Sequence, residues 1–210
     1  MLLYYITDRR QFPGKEDQRR RGLLERISQA ARAGIDYVQL REKDLPAREL
    51  ELLATEAAHV LHESRTSTRL LINSRTDVAL AAGADGVHLT STDISPVDVR
   101  KIWKLSGASR QPIVAVSCHS ESEVVVAQNA GADFVVFGPV FEKSGSAEPA
   151  RGTARLRAVC QHRIPVLALG GINLANARDC ENAGAKGIAG IRLFQAGDLN
   201  TTVSALRKLG

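Results

Sequence analysis

The chain has 210 residues, of which 44% are hydrophobic and 24% charged, and its formal net charge is +5. A chain of this size and composition buries one sizeable core, so we predict a single domain over residues 1–210. Aromatic residues make up only 4%, too few for a base-stacking surface, and no recognised nucleic-acid motif accompanies the basic excess, so nucleic acid is excluded as an expected partner.

The amino end begins with an apolar and β-branched run, Leu2 to Thr7, that predicts the first strand. A cationic stretch follows it, and such a run is typical of a solvated loop and the start of a helix. We therefore expect six basic side chains on the surface: Arg9, Arg10, Lys15, Arg19, Arg20 and Arg21.

A fourfold repeat predicts the rest of the architecture. Similar segments begin with Ala-Gly at Ala33, Ala82, Ala130 and Ala183, and glycine there predicts a left-handed helix end with a strand directly after it. Apolar runs midway between the copies predict four more strands: Leu2 to Thr7, Arg69 to Asn73, Pro112 to Ser117 and Pro165 to Leu169. Helical patterns fill the gaps: Leu23 to Arg32, Ala47 to His62, Ser95 to Leu105, Glu121 to Gln128, Ala154 to Cys160 and Asn176 to Asn182.

Strands that alternate with helices in this way indicate parallel pairing. The predicted fold is a single-domain (β/α)8 TIM barrel of the α/β class. An open doubly wound sheet is the alternative, which we favour less because the Gly-x-Gly-x-x-Gly pattern is absent after the first strand. In such a barrel the functional residues lie at the carboxyl ends of the strands.

The last two strands end in small residues that predict a phosphate site. Loops after the seventh and eighth strands of a TIM barrel frequently bind phosphate, and glycine lets the main chain approach the ligand. The residues concerned are Gly170, Gly171, Gly190, Ile191 and Arg192. The alternative interpretation is that Gly-Gly is only a turn.

Gln39, Arg41 and Lys43 alternate as in a strand, which predicts that all three point toward the barrel mouth. Two cations and an amide on one side suit an anionic substrate. Salt bridges to acids at neighbouring strand ends are the alternative.

Two histidines and one carboxylate complete the predicted mouth. His119 follows the fifth strand and is a candidate general acid/base, although lone histidines are often structural. His88 on the fourth strand either contacts the ligand or fills a core layer. Asp93 near the end of that strand is a candidate ligand for Mg²⁺, with only Asp77 as a further carboxylate nearby.

Several motifs together resemble the thiamin phosphate synthase and TenI superfamily, in the correct order and over nearly the whole chain. They are Gln39-x-Arg41-x-Lys43, Ile72-Asn73, Gly86-Val87-His88-Leu89 with Asp93, Val116-Ser117-Cys118-His119, Phe137-Gly138-Pro139-Val140-Phe141 and Gly170-Gly171-Ile172. The resemblance implies a TIM-barrel enzyme of thiamin biosynthesis that acts on a small phosphorylated heterocycle. The superfamily has two branches, and the motifs distinguish them less sharply.

The synthase branch joins hydroxymethylpyrimidine diphosphate to a thiazole phosphate carboxylate and releases pyrophosphate and carbon dioxide. Resemblance to this branch implies one set of roles: Gln39, His88 and Ser117 around the pyrimidine, Arg41, Lys43 and Asn73 on the diphosphate, Asp93 on Mg²⁺, and Gly171 with the eighth-strand loop on the thiazole phosphate.

Three departures weaken the synthase interpretation. Asn73-Ser74 replaces that branch's Asn-Asp, Glu142 to Ser146 replaces its Thr-x-Thr-Lys loop, and Arg192 replaces its serine in the last phosphate loop. A departing diphosphate requires concentrated positive charge, so losing a metal carboxylate and the loop lysine slows that chemistry. Lys143 or Arg192 compensates only in part.

The tautomerase branch moves a proton on the thiazole phosphate carboxylate and uses no metal or other cofactor. Asn73-Ser74-Arg75-x-Asp77, Ser117-Cys118-His119-Ser120 and Val140-Phe141-Glu142 resemble its motifs. This resemblance implies that His119 transfers the proton, that Gly170, Gly171 and Arg192 bind the phosphate, and that Arg41 or Arg75 binds the carboxylate.

The sequence therefore favours a tautomerase without a cofactor, with the Mg²⁺-dependent synthase as the alternative. A non-catalytic barrel that binds or senses a phosphorylated metabolite is the third hypothesis. The segment from Glu142 to Arg151 is expected to be either an ordered lid or a mobile flap.

The cellular setting is inferred from three cysteines and the apolar runs. Cys118, Cys160 and Cys180 are odd in number and lack Cys-x-x-Cys spacing, which favours a reducing compartment over a disulfide framework or a zinc site. The amino end lacks a signal-peptide pattern and no apolar run approaches a membrane span, so we predict the cytoplasm and no membrane partner. A homo-oligomer is one option for the assembly.

Overall fold

The computed structural model describes residues 1–142 and 149–209. The strands in these residues are β1 (Leu2–Ile6), β2 (Tyr37–Leu40), β3 (Arg69–Asn73), β4 (Gly86–Leu89), β5 (Ile113–Cys118), β6 (Phe134–Phe137), β7 (Val166–Leu169) and β8 (Gly187–Gly190). Each strand pairs in parallel with the next, and β8 pairs with β1 to close the barrel. The predicted (β/α)8 barrel is confirmed, and an open doubly wound sheet is excluded.

The helices of the described residues pack outside the barrel. They are α1 (Glu16–Ala33), α2 (Ala47–Glu63), α3 (Thr76–Ala81), α4 (Pro96–Leu105), α5 (Glu121–Asn129), α6 (Gly152–Val159), α7 (Ala177–Asn182), α8 (Arg192–Gln195) and α9 (Leu199–Arg207). The helix α1 starts at Glu16, earlier than the predicted Leu23. The prediction missed its first two turns because they are polar and lack the apolar periodicity that indicates a helix. Within this part of the chain, no helix is both long and apolar enough to cross a membrane.

Each Ala-Gly repeat ends a helix, as predicted. Gly34, Gly83, Gly131 and Gly184 have φ angles of 90°, 65°, 77° and 99°. This is the left-handed region, which glycine adopts without steric cost. A strand begins three residues after each of these glycines, so the repeat sets the alternation of helix and strand.

The barrel interior has an aromatic amino-terminal half and a more polar carboxyl-terminal half. The Tyr4 ring lies 5.8 Å from Tyr37 and 5.7 Å from Phe134, and the latter two rings are 5.0 Å apart. Because Tyr37 and Phe134 begin β2 and β6, this cluster closes the end of the barrel opposite to the predicted site. Gln39 and His88 are buried nearer the carboxyl ends of their strands.

Arg9 corrects the expectation that the amino-terminal basic stretch lies on the surface. Its side chain is only 4% exposed, and the guanidinium binds Glu42 at 3.1 Å, Asp44 at 2.7 Å and Glu16 at 2.6 Å. Carboxylates from α1 and from the segment after β2 thus surround the buried charge, which compensates for its desolvation. The other five basic side chains are exposed or half-buried, as predicted.

Candidate active site

A chain of hydrogen bonds crosses the barrel interior from β2 to β5. Gln39 Nε2 donates to the Tyr4 hydroxyl at 3.2 Å, and this hydroxyl lies 3.0 Å from His88 Nδ1. The other ring nitrogen, His88 Nε2, lies 2.7 Å from Ser117 Oγ. The first three residues are buried and Ser117 is half-buried, so the chain leads from the closed core toward the open end of the barrel.

His88 is a neutral residue of this core. Burial lowers its pKa to about 3, the positive charge of Arg41 lowers the pKa further, and the negative charge of Asp93 opposes both effects. The imidazole therefore carries no charge at neutral pH. The two electrostatic effects also indicate that Arg41 and Asp93 lie near His88, as the strand-end pattern predicts.

Asp93 lies at the ends of β3 and β4, where one of its oxygens accepts three hydrogen bonds. Its Oδ2 accepts from Ser74 Oγ at 2.7 Å, from the Thr90 amide at 2.6 Å and from Thr90 Oγ1 at 2.9 Å. Asn73 Nδ2 in turn donates to Ser74 Oγ at 3.0 Å. Ser74, which stands where the synthase branch has a second carboxylate, therefore orients Asp93.

The fit of Mg²⁺ to this cluster follows from its donors. The described residues contain no group of three or more His, Cys, Asp or Glu side chains able to hold a metal ion. However, Mg²⁺ that binds together with substrate phosphates takes one or two protein carboxylates plus water. Asp93, with the oxygens of Ser74 and Asn73 beside it, fits the smaller of these donor sets.

The alternation predicted from Gln39 to Lys43 ends early. The strand β2 stops at Leu40, and Gln39 is buried, Arg41 is half-buried and Lys43 is exposed in the following turn. Glu42 instead turns inward, where it accepts hydrogen bonds from Thr7 Oγ1 at 2.6 Å and from Arg9. Among the residues that the structure describes, neither Arg41 nor Lys43 forms the salt bridge to a strand-end acid that was the alternative. Glu42, which lies between them, pairs with Arg9.

His119 and Arg75 occupy two other strand ends. His119 follows β5, and its Nδ1 donates to the Gly138 carbonyl at 2.6 Å, while its backbone amide donates to Glu123 at 2.5 Å. Arg75 lies before α3 and binds Asp77, with 2.8 Å from its Nε to Oδ1. The Arg75 guanidinium lowers the pKa of Asp77, so much of the positive charge predicted for a substrate carboxylate is already balanced.

The predicted phosphate corner is brought together by the pairing of β7 with β8. Leu169 is in register with Ala189, so Gly170-Gly171 and Gly190 to Arg192 follow adjacent strand ends. Gly170 and Gly171 have φ angles of 98° and 65°. Arg192 is exposed and begins the short helix α8, an arrangement common at TIM-barrel phosphate sites.

Gly171 also has a packing reason to be glycine. A Cβ at this position would lie 2.5 Å from the Glu142 carbonyl oxygen and 2.7 Å from Phe141 Cβ. The turn interpretation and the phosphate interpretation are thus compatible, because the same backbone approach shapes the corner. Lys143 and most of the predicted lid or flap, residues 143–148, lie outside the described residues.

A well-defined surface pocket lies away from this chemistry. It has a volume of about 530 Å³ and lies at the amino-terminal ends of the strands, lined by Arg69, Asp85, Trp103, Arg110 and Ile113 among others. None of the predicted site residues lines it. We assign the site from the convergence of polar groups at the strand ends, since function in this fold belongs there.

The model of the thiamine monophosphate synthase family matches residues 3–194. The chain belongs to this family. A putative thiamine-phosphate synthase of Geobacter sulfurreducens is 44% identical over 191 residues, which cover 89% of this chain and 83% of that protein. The thiamine-phosphate synthase of Syntrophomonas wolfei is 36% identical over 211 residues, with coverages of 99% and 95%.

A solved structure supports the thiamine monophosphate synthase family as well. The thiamine phosphate pyrophosphorylase from Pyrococcus furiosus is similar with a TM-score of 0.80 and 31% identity, and the match covers 99% of this chain and 94% of that one. These similarities confirm the predicted superfamily, the fold and the class of protein, an enzyme of thiamin biosynthesis.

Sequence reasoning missed two contributors to this arrangement. Tyr4 is in the middle of β1, and its neighbours at period two, Leu2 and Ile6, share the inner core, so strand alternation alone would have pointed it inward. Thr90 donates twice to Asp93. Its spacing of three residues before an aspartate is a common local turn and gave no distinctive signal.

Proposed function

We propose that this enzyme is a thiamine-phosphate synthase that couples hydroxymethylpyrimidine diphosphate to a thiazole phosphate carboxylate and releases pyrophosphate and carbon dioxide. The observation that supports the proposal is that two groups of candidate anion-binding residues lie at strand ends on one barrel mouth. Asn73 is the last residue of β3 and Asp93 follows β4, whereas the diglycine corner follows β7. In a closed eight-stranded barrel these strands lie opposite each other.

Two opposed anion regions suit two phosphorylated substrates better than one. The tautomerase acts on a single phosphate ester and requires only one such region. The neutral chain from Gln39 leads to the half-buried Ser117 at the end of β5 and suits a flat, uncharged heterocycle. The names of the relatives add to this proposal, and they reverse the preference for the tautomerase that the sequence departures gave.

The roles that we propose follow from these positions. Gln39, His88 and Ser117 orient the pyrimidine, while Arg41, Lys43 and Asn73 bind its diphosphate. The residues Gly170, Gly171, Gly190, Ile191 and Arg192 bind the thiazole phosphate. Holding both heterocycles in line lowers the entropic part of the barrier.

Asp93 would hold Mg²⁺ beside the diphosphate, and a bound Mg²⁺ supplies positive charge for the developing pyrophosphate. Arg41 adds a fixed positive charge on the same side of the mouth. Ser74 and Thr90 donate three hydrogen bonds to Asp93 Oδ2, and these bonds orient the carboxylate that would hold the ion. Cytoplasmic location and a homo-oligomer stay predictions.

The thiazole tautomerase is the second candidate, and the geometry of His119 favours it. Because a carbonyl can only accept, the 2.6 Å contact with Gly138 requires a proton on Nδ1. A histidine in a fixed tautomer is suited to proton transfer. On this hypothesis Arg41 or Arg75 binds the substrate carboxylate and no metal ion is used.

One pair of variants separates the two candidates. We expect the purified protein to release pyrophosphate and form thiamin phosphate in a Mg²⁺-dependent reaction. Asp93→Asn should lower this rate about 10²-fold or more, and more than His119→Ala does. Aromatisation of the thiazole without Mg²⁺, abolished by His119→Ala and indifferent to Asp93→Asn, would contradict the synthase and support the tautomerase.

A further inference from the structure

The hydrogen-bond chain in the barrel has a direction that can be deduced by counting donors and acceptors. Gln39 Nε2 is a donor, so the Tyr4 oxygen accepts at that end. The phenol has one proton, and among the described residues the only acceptor within reach of it is His88 Nδ1 at 3.0 Å. If the proton pointed elsewhere, a fully buried hydroxyl would lose its hydrogen bond, which is costly.

The remaining proton positions follow from this one. A neutral imidazole carries one N–H, so a ring that accepts at Nδ1 must donate from Nε2. Nε2 lies 2.7 Å from Ser117 Oγ, and the serine oxygen is therefore an acceptor from His88. The O–H of Ser117 is left to point away from the imidazole, toward the open end of the barrel.

We propose that Tyr4 is a positioning residue that fixes the direction of this chain, so that Ser117 presents a donor to the substrate and selects a heterocycle with an unprotonated ring nitrogen there. The substrate class is thus narrowed to heteroaromatic rings with an sp² nitrogen at the serine. The identification of this ring as the pyrimidine substrate rests on the proposed function. The direction of the hydrogen-bond chain is independent of that proposal.

Tyr4 is held firmly enough for this task. Its ring contacts Tyr37, Phe134 and the His88 ring, with centroid distances of 5.7 to 5.8 Å. Burial raises the pKa of the Tyr4 phenol well above its ordinary value. The hydroxyl consequently stays protonated, and remains a donor, at neutral pH.

Tyr5→Phe is a matched control for Tyr4→Phe. Both tyrosines are fully buried in β1. The Tyr5 hydroxyl, however, donates to Gln195 outside the barrel, at 3.0 Å. The two variants therefore remove the same group, at the same depth, from opposite sides of one strand.

The first experiment reads the tautomer directly in the ligand-free protein. In ¹⁵N NMR spectra of the histidine rings, the signal that disappears in His88→Gln should show a proton on Nε2. Tyr4→Phe should shift this signal toward a mixture of tautomers, and Tyr5→Phe should leave it unchanged. A proton on Nδ1 in the unmodified protein would overturn the proposal, whether or not the protein is a synthase.

The second experiment tests selection with defined ligands. Hydroxymethylpyrimidine diphosphate is compared by calorimetry, with Mg²⁺ present, with its two analogues in which one ring nitrogen is replaced by C–H. We expect one analogue to bind about 10- to 100-fold more weakly, the effect of one buried hydrogen bond. Ser117→Ala should remove this discrimination and Tyr4→Phe should reduce it.

The outcomes of the two experiments separate the proposals. Equal binding of the parent compound and both analogues would overturn the role of Ser117 as a donor, as would discrimination that survives in Ser117→Ala. Failure of all three ligands to bind would contradict the synthase function. A proton on His88 Nε2 that is lost in part in Tyr4→Phe would still support the role of Tyr4 in fixing the direction of the chain.

Discussion

His88 links the chemistry of the site to the stability of the protein, because the folded chain accepts this histidine only in its neutral form. Burial lowers the pKa of His88 to about 3, whereas an unfolded histidine has a pKa of about 6.5. Between these two values the unfolded chain binds a proton that the folded chain does not. The contribution of His88 to stability is therefore complete above about pH 6.5 and is lost as the pH falls toward 3.

We expect the free energy of unfolding to decrease with falling pH in this window, with a contribution from His88 of up to about 1.4 kcal/mol per pH unit. His88→Asn should flatten the profile measured by urea denaturation from pH 7 to pH 5. The control is His59→Asn, which removes an exposed imidazole on α2 and should keep the slope. An identical slope in all three proteins would show that His88 is protonated in the folded state.

The buried ion pair of Arg9 and Glu42 gives a second test at single residues. Removal of one partner of a buried pair typically costs about 3–5 kcal/mol, because the other charge stays desolvated. Burial already raises the pKa of Glu42 against the opposing effect of its hydrogen bonds. We expect Arg9→Met to lower the free energy of unfolding by about 3 kcal/mol, measured by chemical denaturation.

Adding Glu42→Gln should recover part of this loss, since it removes the uncompensated charge and keeps an acceptor for Thr7. Glu56→Ala serves as the control because it breaks the exposed contact with Arg20 at 3.3 Å, and it should change stability by less than about 1 kcal/mol. A double variant less stable than Arg9→Met alone would contradict the role assigned to the unpaired Glu42 charge.

At the scale of elements, the loop after β7 depends on the absence of a side chain at Gly171. Two costs combine there: a φ angle of 65° and a Cβ position 2.5 Å from the Glu142 carbonyl oxygen. Gly83 has the same φ angle but no atom within 4 Å of its Cβ position. The pair of variants Gly171→Ala and Gly83→Ala thus separates backbone strain from collision.

We expect Gly83→Ala to cost about 1 kcal/mol of stability, the strain of a left-handed alanine. Gly171→Ala should cost at least about 1 kcal/mol more, because its Cβ would collide with the backbone carbonyl of Glu142, which cannot rotate away as a side chain can. It should also weaken inorganic phosphate binding, measured by calorimetry, whereas Gly83→Ala should not. Equal phosphate affinity in both variants would show that the diglycine corner does not bind phosphate.

The sequence predicted the elements well where a local signal was strong. The four Ala-Gly copies located the helix ends and strand starts. A left-handed cap depends on the glycine itself and not on distant residues, so Gly34 and its three counterparts indicate it in the sequence. The exposed position of Lys43 was not predictable, because β2 stops where Glu42 binds Arg9 and Thr7, which both lie in the segment after β1. The site was likewise predicted residue by residue, but the bridge that Tyr4 forms between Gln39 and His88 depends on the closure of the barrel.

On the scale of the whole molecule, barrel closure determines which residues share the mouth. The first strand is in register with both β2 and β8, so Tyr4 reaches His88 only when the last strand has joined the first. The seam between β1 and β8 has little room. A Cβ at Gly187 would lie 2.5 Å from the Leu2 carbonyl oxygen and 2.9 Å from Leu167 Cγ.

We therefore expect Gly187→Ala to destabilise the entire barrel by roughly 1–3 kcal/mol, the usual cost of inserting an atom into packed structure. A closed sheet has no edge strand that can separate first, so native-state hydrogen exchange should accelerate equally for the slowest amides of β4 and of β8. Gly22→Ala is the control, because its Cβ would meet only the Phe12 side chain, at 3.1 Å, and alanine favours the helix there. Faster exchange confined to β1 and β8 would show instead that the seam opens locally while the rest of the barrel stays folded.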